Sequence, residues 1–147
     1  MNVKIFRWEE LQRDELYEIL SLRSEIFVVE QDCVYQDIDF KDQKAFHICG
    51  YKEGKLVAYT RVFGPAAYFD TPSIGRVLVR ENQRKYGFGH QIIEASIALI
   101  NKEYGAVNIE ISAQTYLLNF YESHGFKTIG EEYLEDGIPH MRMIKTT

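Results

Sequence analysis

Two cysteines in 147 residues are too few for a disulfide scaffold. Cys33 and Cys49 also stand apart with no further cysteines, so they make no zinc pattern. The three prolines are scattered, and no Pro- or Gly-rich linker divides the chain. Long apolar runs are missing as well. A stretch such as Ile26-Phe27-Val28-Val29 falls far short of the ~18 residues a spanning helix needs, so no membrane association is expected. The opening Met1-Asn2-Val3-Lys4-Ile5-Phe6-Arg7 lacks the apolar core of a secretory signal, and a cytoplasmic location is the expectation. An excess of basic residues is absent too. Seventeen Lys+Arg against 22 Asp+Glu give a net charge of −5, which argues against a general nucleic-acid binder.

What is present is the material of one core. The chain is 46% hydrophobic and 14% aromatic, enough apolar surface to offset chain entropy. Its length suits a single domain over residues 1–147. No repeat or low-complexity tract interrupts it.

The elements alternate. Val3–Arg7 reads as a strand, and Glu10 to about Glu30 as a helix with Leu16, Ile19, Leu20 and Phe27 on one stripe. Asp32–Lys44 is an acidic loop or a broken helix. Phe46–Tyr51 and Leu56–Phe63 are strands joined at Glu53-Gly54. Ile74–Val79 is a short strand, and Gly87–Tyr104 an amphipathic helix. Val107–Ser112 alternates with the period of a strand. Thr115–His124 is a short helix ended by Gly125. Phe126–Leu134 and Met141–Ile144 are strands around Asp136-Gly137. The order β-α-β-β-β-α-β-α-β-β predicts an α/β fold with a mixed sheet and helices on its faces.

The stretch richest in chemistry is Val77-Leu78-Val79 followed by Arg84-Lys85-Tyr86-Gly87-Phe88-Gly89-His90. A strand, a glycine-bearing turn and a helix start make an anion site, because the first N–H groups of a helix lack internal partners. Gly87 and Gly89 permit close approach of a phosphate, and Arg84 and Lys85 add positive charge. On glycine spacing alone, a plain helix start is an equal reading. No Gly-Lys-Ser/Thr follows, and no Gly-x-Gly-x-x-Gly is present, so neither a P-loop nor a dinucleotide fingerprint is formed.

The combination Arg84-x-x-Gly87-x-Gly89, a strand, then Tyr121-x-x-x-Gly125-Phe126 resembles the GNAT superfamily of N-acetyltransferases. Phe27–Gln31, Tyr35–Asp39, Ile74–Val77 and Glu135–His140 resemble its ElaA-like branch. The resemblance spans nearly the whole chain and implies a mostly antiparallel central sheet flanked by helices. It implies acetyl-coenzyme A as donor, with the pyrophosphate on Arg84, Lys85, Tyr86, Gly87, Phe88, Gly89 and His90. The pantetheine arm would run beside Val77, Leu78 and Val79, and Tyr121 would lie near the sulfur.

The implied chemistry is transfer of acetyl to a primary amine, directly within a ternary complex. A backbone N–H near Val79 would stabilise the oxyanion, and Tyr121 would protonate or hydrogen-bond the leaving thiolate. An alkyl ammonium of pKa ~10.4 is only about 0.04% neutral at pH 7, so a base must take its proton. Glu30, Asp37, Asp39, His47 and His140 are candidates, with Glu30 favoured. Tyr35, Asp37, Asp39 and His140 are expected at the acceptor site. The other reading of the acidic loop is that Asp32, Asp37, Asp39 and Asp42 are solvated. Two positions depart from the wider superfamily. Gln114 stands where an asparagine is common, so either Gln114 or Asn119 is expected to contact the cofactor, and Glu81 replaces a common proline.

Other residues read as structural. Arg76 inside an apolar strand needs a partner, and Glu110 on the next strand is the expected one. His47 and Cys49 share a strand face without further ligands, so no metal is expected. Asymmetric charge suits a cationic small-molecule or peptide amine as partner, and a two-fold homodimer is compatible with a small enzyme. The rival function is a non-catalytic acyl-coenzyme A-binding sensor or interaction module of the same fold.

Overall fold

In the computed structural model, which describes residues 1–147, seven strands form one sheet. They are β1 (Asn2–Arg7), β2 (Phe46–Lys52), β3 (Lys55–Phe63), β4 (Ser73–Val79), β5 (Ile109–Gln114), β6 (Phe126–Glu135) and β7 (Ile138–Lys145). Their order across the sheet is β1-β2-β3-β4-β5-β7-β6. Every neighbouring pair is antiparallel except β4 and β5. The helices are α1 (Arg13–Arg23), α2 (Phe88–Tyr104) and α3 (Leu118–Glu122). The element order therefore matches the one expected from hydropathy patterning.

The first helix is not one continuous α-helix. After Arg23 it continues to Glu30 as a wider π-helical segment, in which Gln31 N–H reaches the Ile26 carbonyl five residues back. This widening is of the kind that recurs beside functional sites. No helix is long and apolar enough to cross a membrane.

β3 is buried along almost its whole length, as a central strand covered on both faces must be. One face packs Ile48, Ala58 and Val62 against Ile92, Ile93 and Ile100 of α2. The opposite face packs Cys49, Leu56, Tyr59 and Leu78 against Ile19, Leu22, Ile26 and Phe27. A register shift at Gly50/Tyr51, with Val57 as the extra residue, lets consecutive residues Val57 and Ala58 serve the same core while Leu56 and Tyr59 serve the other.

Two irregularities of β4 create the cleft. Its ladder to β3 slips between Tyr59 and Arg61, so that two residues, Arg76 and Val77, stand against Thr60. Arg76 takes a left-handed φ of 48°, rare for a side-chain-bearing residue. On its other edge, β4 pairs with β5 only at Ser73↔Glu110. Beyond that point the two strands part and leave backbone groups of β4 facing open space.

Candidate functional site

The parted strands open into a cleft of about 510 Å³. Val77, Leu78 and Val79 line one wall, and Gln114, Leu117, Phe120 and Tyr121 line the other. At one end lie Arg84, Gly87, Gly89 and His90, and at the opposite end Tyr35, Tyr68, Glu135 and His140.

The first end is the start of α2. A tight turn over Glu81–Tyr86 leads into Gly87, whose φ of 73° glycine adopts without strain. No side chain caps α2, and its first turn holds no acidic residue. Its leading N–H groups are left for an anion. A Cβ built on Gly87 meets nothing within 4 Å, so the space over the turn is open. A pyrophosphate is the kind of anion that these N–H groups, the two glycines and Arg84 could hold. Lys85 and Tyr86 are exposed beside the turn, with Lys52 Nζ 3.8 Å from the Tyr86 ring centre, and neither lines the cleft. Phe88 is core. His90 Nδ1 lies 2.8 Å from His124 Nε2. His124 thus meets a histidine beyond its expected place at a helix end.

Arg84 donates to the Val79 carbonyl at 3.1 Å and to Glu30 Oε2 at 2.7 Å. The expected phosphate ligand and the favoured base are therefore paired with each other across the cleft. Gln114 reaches Gln31 at 3.4 Å and lines the cleft. Asn119 is exposed and lies outside it.

Tyr121 is 94% buried, with Phe120 and Phe126 edge-on to its ring. Burial, with Tyr116 nearby, pushes its hydroxyl well above the ordinary phenol range. Such a group is a fixed hydrogen-bond donor rather than a ready source of protons.

Of the acidic loop, Asp32 is exposed as a solvated residue would be, but Asp37, Asp39 and Asp42 are not. Arg23, fully buried, donates to Asp37 Oδ2 at 2.9 Å and to Asp42 Oδ1 at 2.7 Å. Arg61 binds Asp39 and Asp42, and Arg76 binds Asp37 Oδ1 at 2.8 Å. Three arginines meet three aspartates in one network, which is how buried charge is tolerated. Asp37 and Asp39 thus lie behind the cleft wall, while Tyr35 lines it and donates its hydroxyl to Asp37 at 3.0 Å. The expected Arg76–Glu110 pair is not formed. The bulge turns Arg76 out of the strand alternation where β4 and β5 have already separated, and Glu110 instead accepts from Arg142 at 2.6 Å.

His47 is not at the cleft. It is fully buried, with Nε2 donating to the Asp42 carbonyl at 2.9 Å and Nδ1 accepting from Tyr59 at 2.7 Å. Burial pushes its pKa down, so the ring stays neutral.

The acceptor end also holds residues that patterning did not single out, namely Glu135, Ser112, Tyr68 and Cys33. The signal for Glu135 was the hairpin itself. Asp136 and Gly137 both take positive φ, a two-residue turn that pairs Glu135 with Ile138 and Tyr133 with His140. Tyr133, Glu135, Ile138 and His140 must then share one face. The Ser112 and Tyr133 hydroxyls hydrogen-bond, and Cys33 Sγ donates to the Asp136 carbonyl at 3.3 Å, tying the hairpin to the loop after the first helix.

Known proteins share this architecture over the full chain. A UPF0039 protein of Synechocystis is 39% identical over 94% of this chain and 90% of its own length. Protein ElaA of Escherichia coli is 38% identical over 96% of this chain and 97% of its own. The ElaA crystal structure superposes with a TM-score of 0.92 at 37% identity, covering 98% of both chains. An acyl-CoA N-acyltransferase from Pseudomonas aeruginosa superposes with a TM-score of 0.93 at 34% identity, covering 99% of this chain and 100% of its own. Residues 13–147 match the acetyltransferase (GNAT) domain, and the chain belongs to that family, whose fold implies acyl transfer from an acyl-coenzyme A.

Proposed function

We propose that the protein moves an acetyl group from acetyl-coenzyme A to a primary amine, directly and within a ternary complex. The observation that carries this reading is the single cleft between β4 and β5. It joins an uncapped helix start at one end to a carboxylate and a histidine at the other, and Tyr121 lines it too. A donor with a phosphate-bearing tail suits the first end. An amine that must give up a proton suits the second.

Arg84 and the α2 N-terminus hold the pyrophosphate, with Gly87 and Gly89 allowing close backbone approach. The β4 backbone facing the gap hydrogen-bonds the pantetheine arm along Val77–Val79. The Tyr121 hydroxyl donates to the departing sulfur. A coenzyme A thiol of ordinary pKa near ~8.5 is a weaker base as thiolate than the buried phenolate, so the phenol acts chiefly as a hydrogen-bond donor. Tyr35, oriented by Asp37 and beside Arg76, borders the amine. Glu30, released from Arg84 as phosphate takes that arginine, gives the cleft a second carboxylate.

The test is release of free thiol from acetyl-coenzyme A with a panel of primary amines, and mass spectrometry of the products. A product heavier by one acetyl group supports the reading. Tight coenzyme A binding with no acetylated product from any amine assigns the chain to acyl-coenzyme A binding without catalysis.

A further inference from the structure

We infer that Glu135 and His140 form the site that holds the acceptor's ammonium group and takes its proton; this rests on the amine-acetylation reading above. The argument starts from a hydrogen-bond conflict. His140 Nδ1 lies 2.6 Å from the Ile138 carbonyl, which can only accept, so the ring proton of a neutral imidazole sits on Nδ1. Nε2 then offers a lone pair, and it faces Glu135 Oε2 at 3.3 Å, a second acceptor. Two acceptors at that distance repel unless a proton lies between them. A proton on Nε2 satisfies the pair, and so does an ammonium, which offers an N–H to each.

Charge elsewhere in the cleft singles out the same place. Arg61 and Arg76 are occupied by Asp37, Asp39 and Asp42, and Arg84 by Glu30. Glu135 has no arginine or lysine partner, and neither has its turn neighbour Asp136, which also lines the cleft, but of the two it is Glu135 that faces His140. It is 42% exposed in its side chain, whereas His140 is almost covered, so a ligand reaches the carboxylate first. The pair is held by construction. The Asp136-Gly137 turn fixes the register, the Tyr133 ring stacks on His140, and Cys33 anchors the turn. His140 is paired in register with Gln114, the last residue of β5, from which the chain runs through a short turn into the helix bearing Tyr121.

The step balances. One ammonium N–H bond breaks and its proton goes to His140 Nε2. The freed lone pair forms the C–N bond to the thioester carbon, and the C–S bond breaks. The nitrogen's second proton is lost to solvent as the departing thiolate, hydrogen-bonded by the Tyr121 hydroxyl, takes one from solvent. The products are an amide, a thiol and the single proton carried by His140. Glu135 binds the ammonium and then stabilises the imidazolium.

The experiment has two arms. In the first, cadaverine is titrated into the protein while the His140 ring proton resonance is followed, assigned among four histidines by its absence in His140→Gln. The resonance moves saturably in the parent protein, and Glu135→Gln raises the midpoint at least about tenfold, the scale of a charged hydrogen bond. An unmoved resonance overturns the proposal, whether or not the protein turns over any amine. In the second, cadaverine is compared with 2,2,2-trifluoroethylamine, which is neutral at pH 7 and needs no ammonium site. His140→Gln lowers kcat with cadaverine about 100-fold or more, the scale of general-base assistance, and spares the neutral amine. Equal losses with both amines mean a structural role and overturn the assignment of the base. Retained coenzyme A binding in both variants shows that they fold.

Discussion

Arg84 Nη2 and Glu30 Oε2 lie 2.7 Å apart across the mouth of the cleft, joining the turn before α2 to the end of the π-helical segment. Both groups are partly exposed, so the pair contributes little to stability, roughly 0–1 kcal/mol. Its importance is competitive. Under the proposed function a phosphate would have to draw Arg84 from Glu30, which couples the two expected roles of these residues.

That coupling gives opposite expectations for two variants. Arg84→Ala weakens coenzyme A binding by about tenfold or more, as loss of a charged hydrogen bond does. Glu30→Gln leaves Arg84 uncommitted and tightens coenzyme A binding a few-fold. Both changes shrink at high salt. Calorimetric titration of coenzyme A at two ionic strengths checks them, and weaker binding in Glu30→Gln counts against the coupling.

Gly89 allows the phosphate turn to be tested without disturbing the fold. A Cβ there lies 3.4 Å from the Phe120 ring and 3.7 Å from Val79, tolerable contacts, and alanine favours a helix over glycine by about 1 kcal/mol. Gly89→Ala therefore keeps or raises the melting temperature. If the pyrophosphate approaches this backbone closely, the same variant raises the coenzyme A Kd about tenfold. Unchanged affinity in the folded variant makes the turn only a helix start.

Tyr121→Phe removes a hydroxyl that burial keeps protonated. The ring and its contacts with Phe120 and Phe126 remain, so the fold is spared. An interaction made mainly in the transition state lowers kcat and kcat/KM together. A hydrogen-bond donor that holds its proton tightly sits toward the lower part of the 10²–10⁴ range for acid assistance, so the expected loss is about 100-fold. Coenzyme A affinity changes by less than about 1 kcal/mol. Steady-state kinetics beside cofactor titration decide it, and undiminished turnover rules this hydroxyl out as the donor.

The arginine–aspartate network predicts how the protein responds to acid. Burial raises the Asp39 pKa, but Arg61, the Lys41 backbone N–H and Arg76 outweigh it and hold the carboxyl at about 2. A lowered carboxyl pKa means stability present above the unfolded value of ~3.9 and lost as pH falls toward about 2. Burial also lowers the His47 pKa, so the unfolded chain binds that proton first and stability begins to fall below pH ~6.5. Denaturant titrations across pH should show a shallow loss below ~6.5, reduced in His47→Gln, with the remainder due to His124, whose pKa burial also lowers, and a steeper one below ~4. Asp42→Asn leaves Arg23 and Arg61 sharing one fewer charge and costs about 3–5 kcal/mol at neutral pH, the scale for breaking a buried pair.

Local patterning determined a good deal by itself. Period-two and period-3.6 hydropathy set the order of strands and helices, because each element must bury one face. Glycine at 87 and the helix after it marked the anion end, since unpaired N–H groups follow from any helix start. The Asp136-Gly137 pair marked the turn between β6 and β7. Tertiary structure decided what those residues do. The separation of β4 from β5 is a relationship between strands 30 residues apart, and no local period encodes it. It alone makes the cleft. The partners of Arg76, Arg84 and Glu30 lie 37 to 54 residues away in the chain. A buried guanidinium demands a carboxylate for electrostatic reasons, but which one it finds depends on where the folded backbone leaves room.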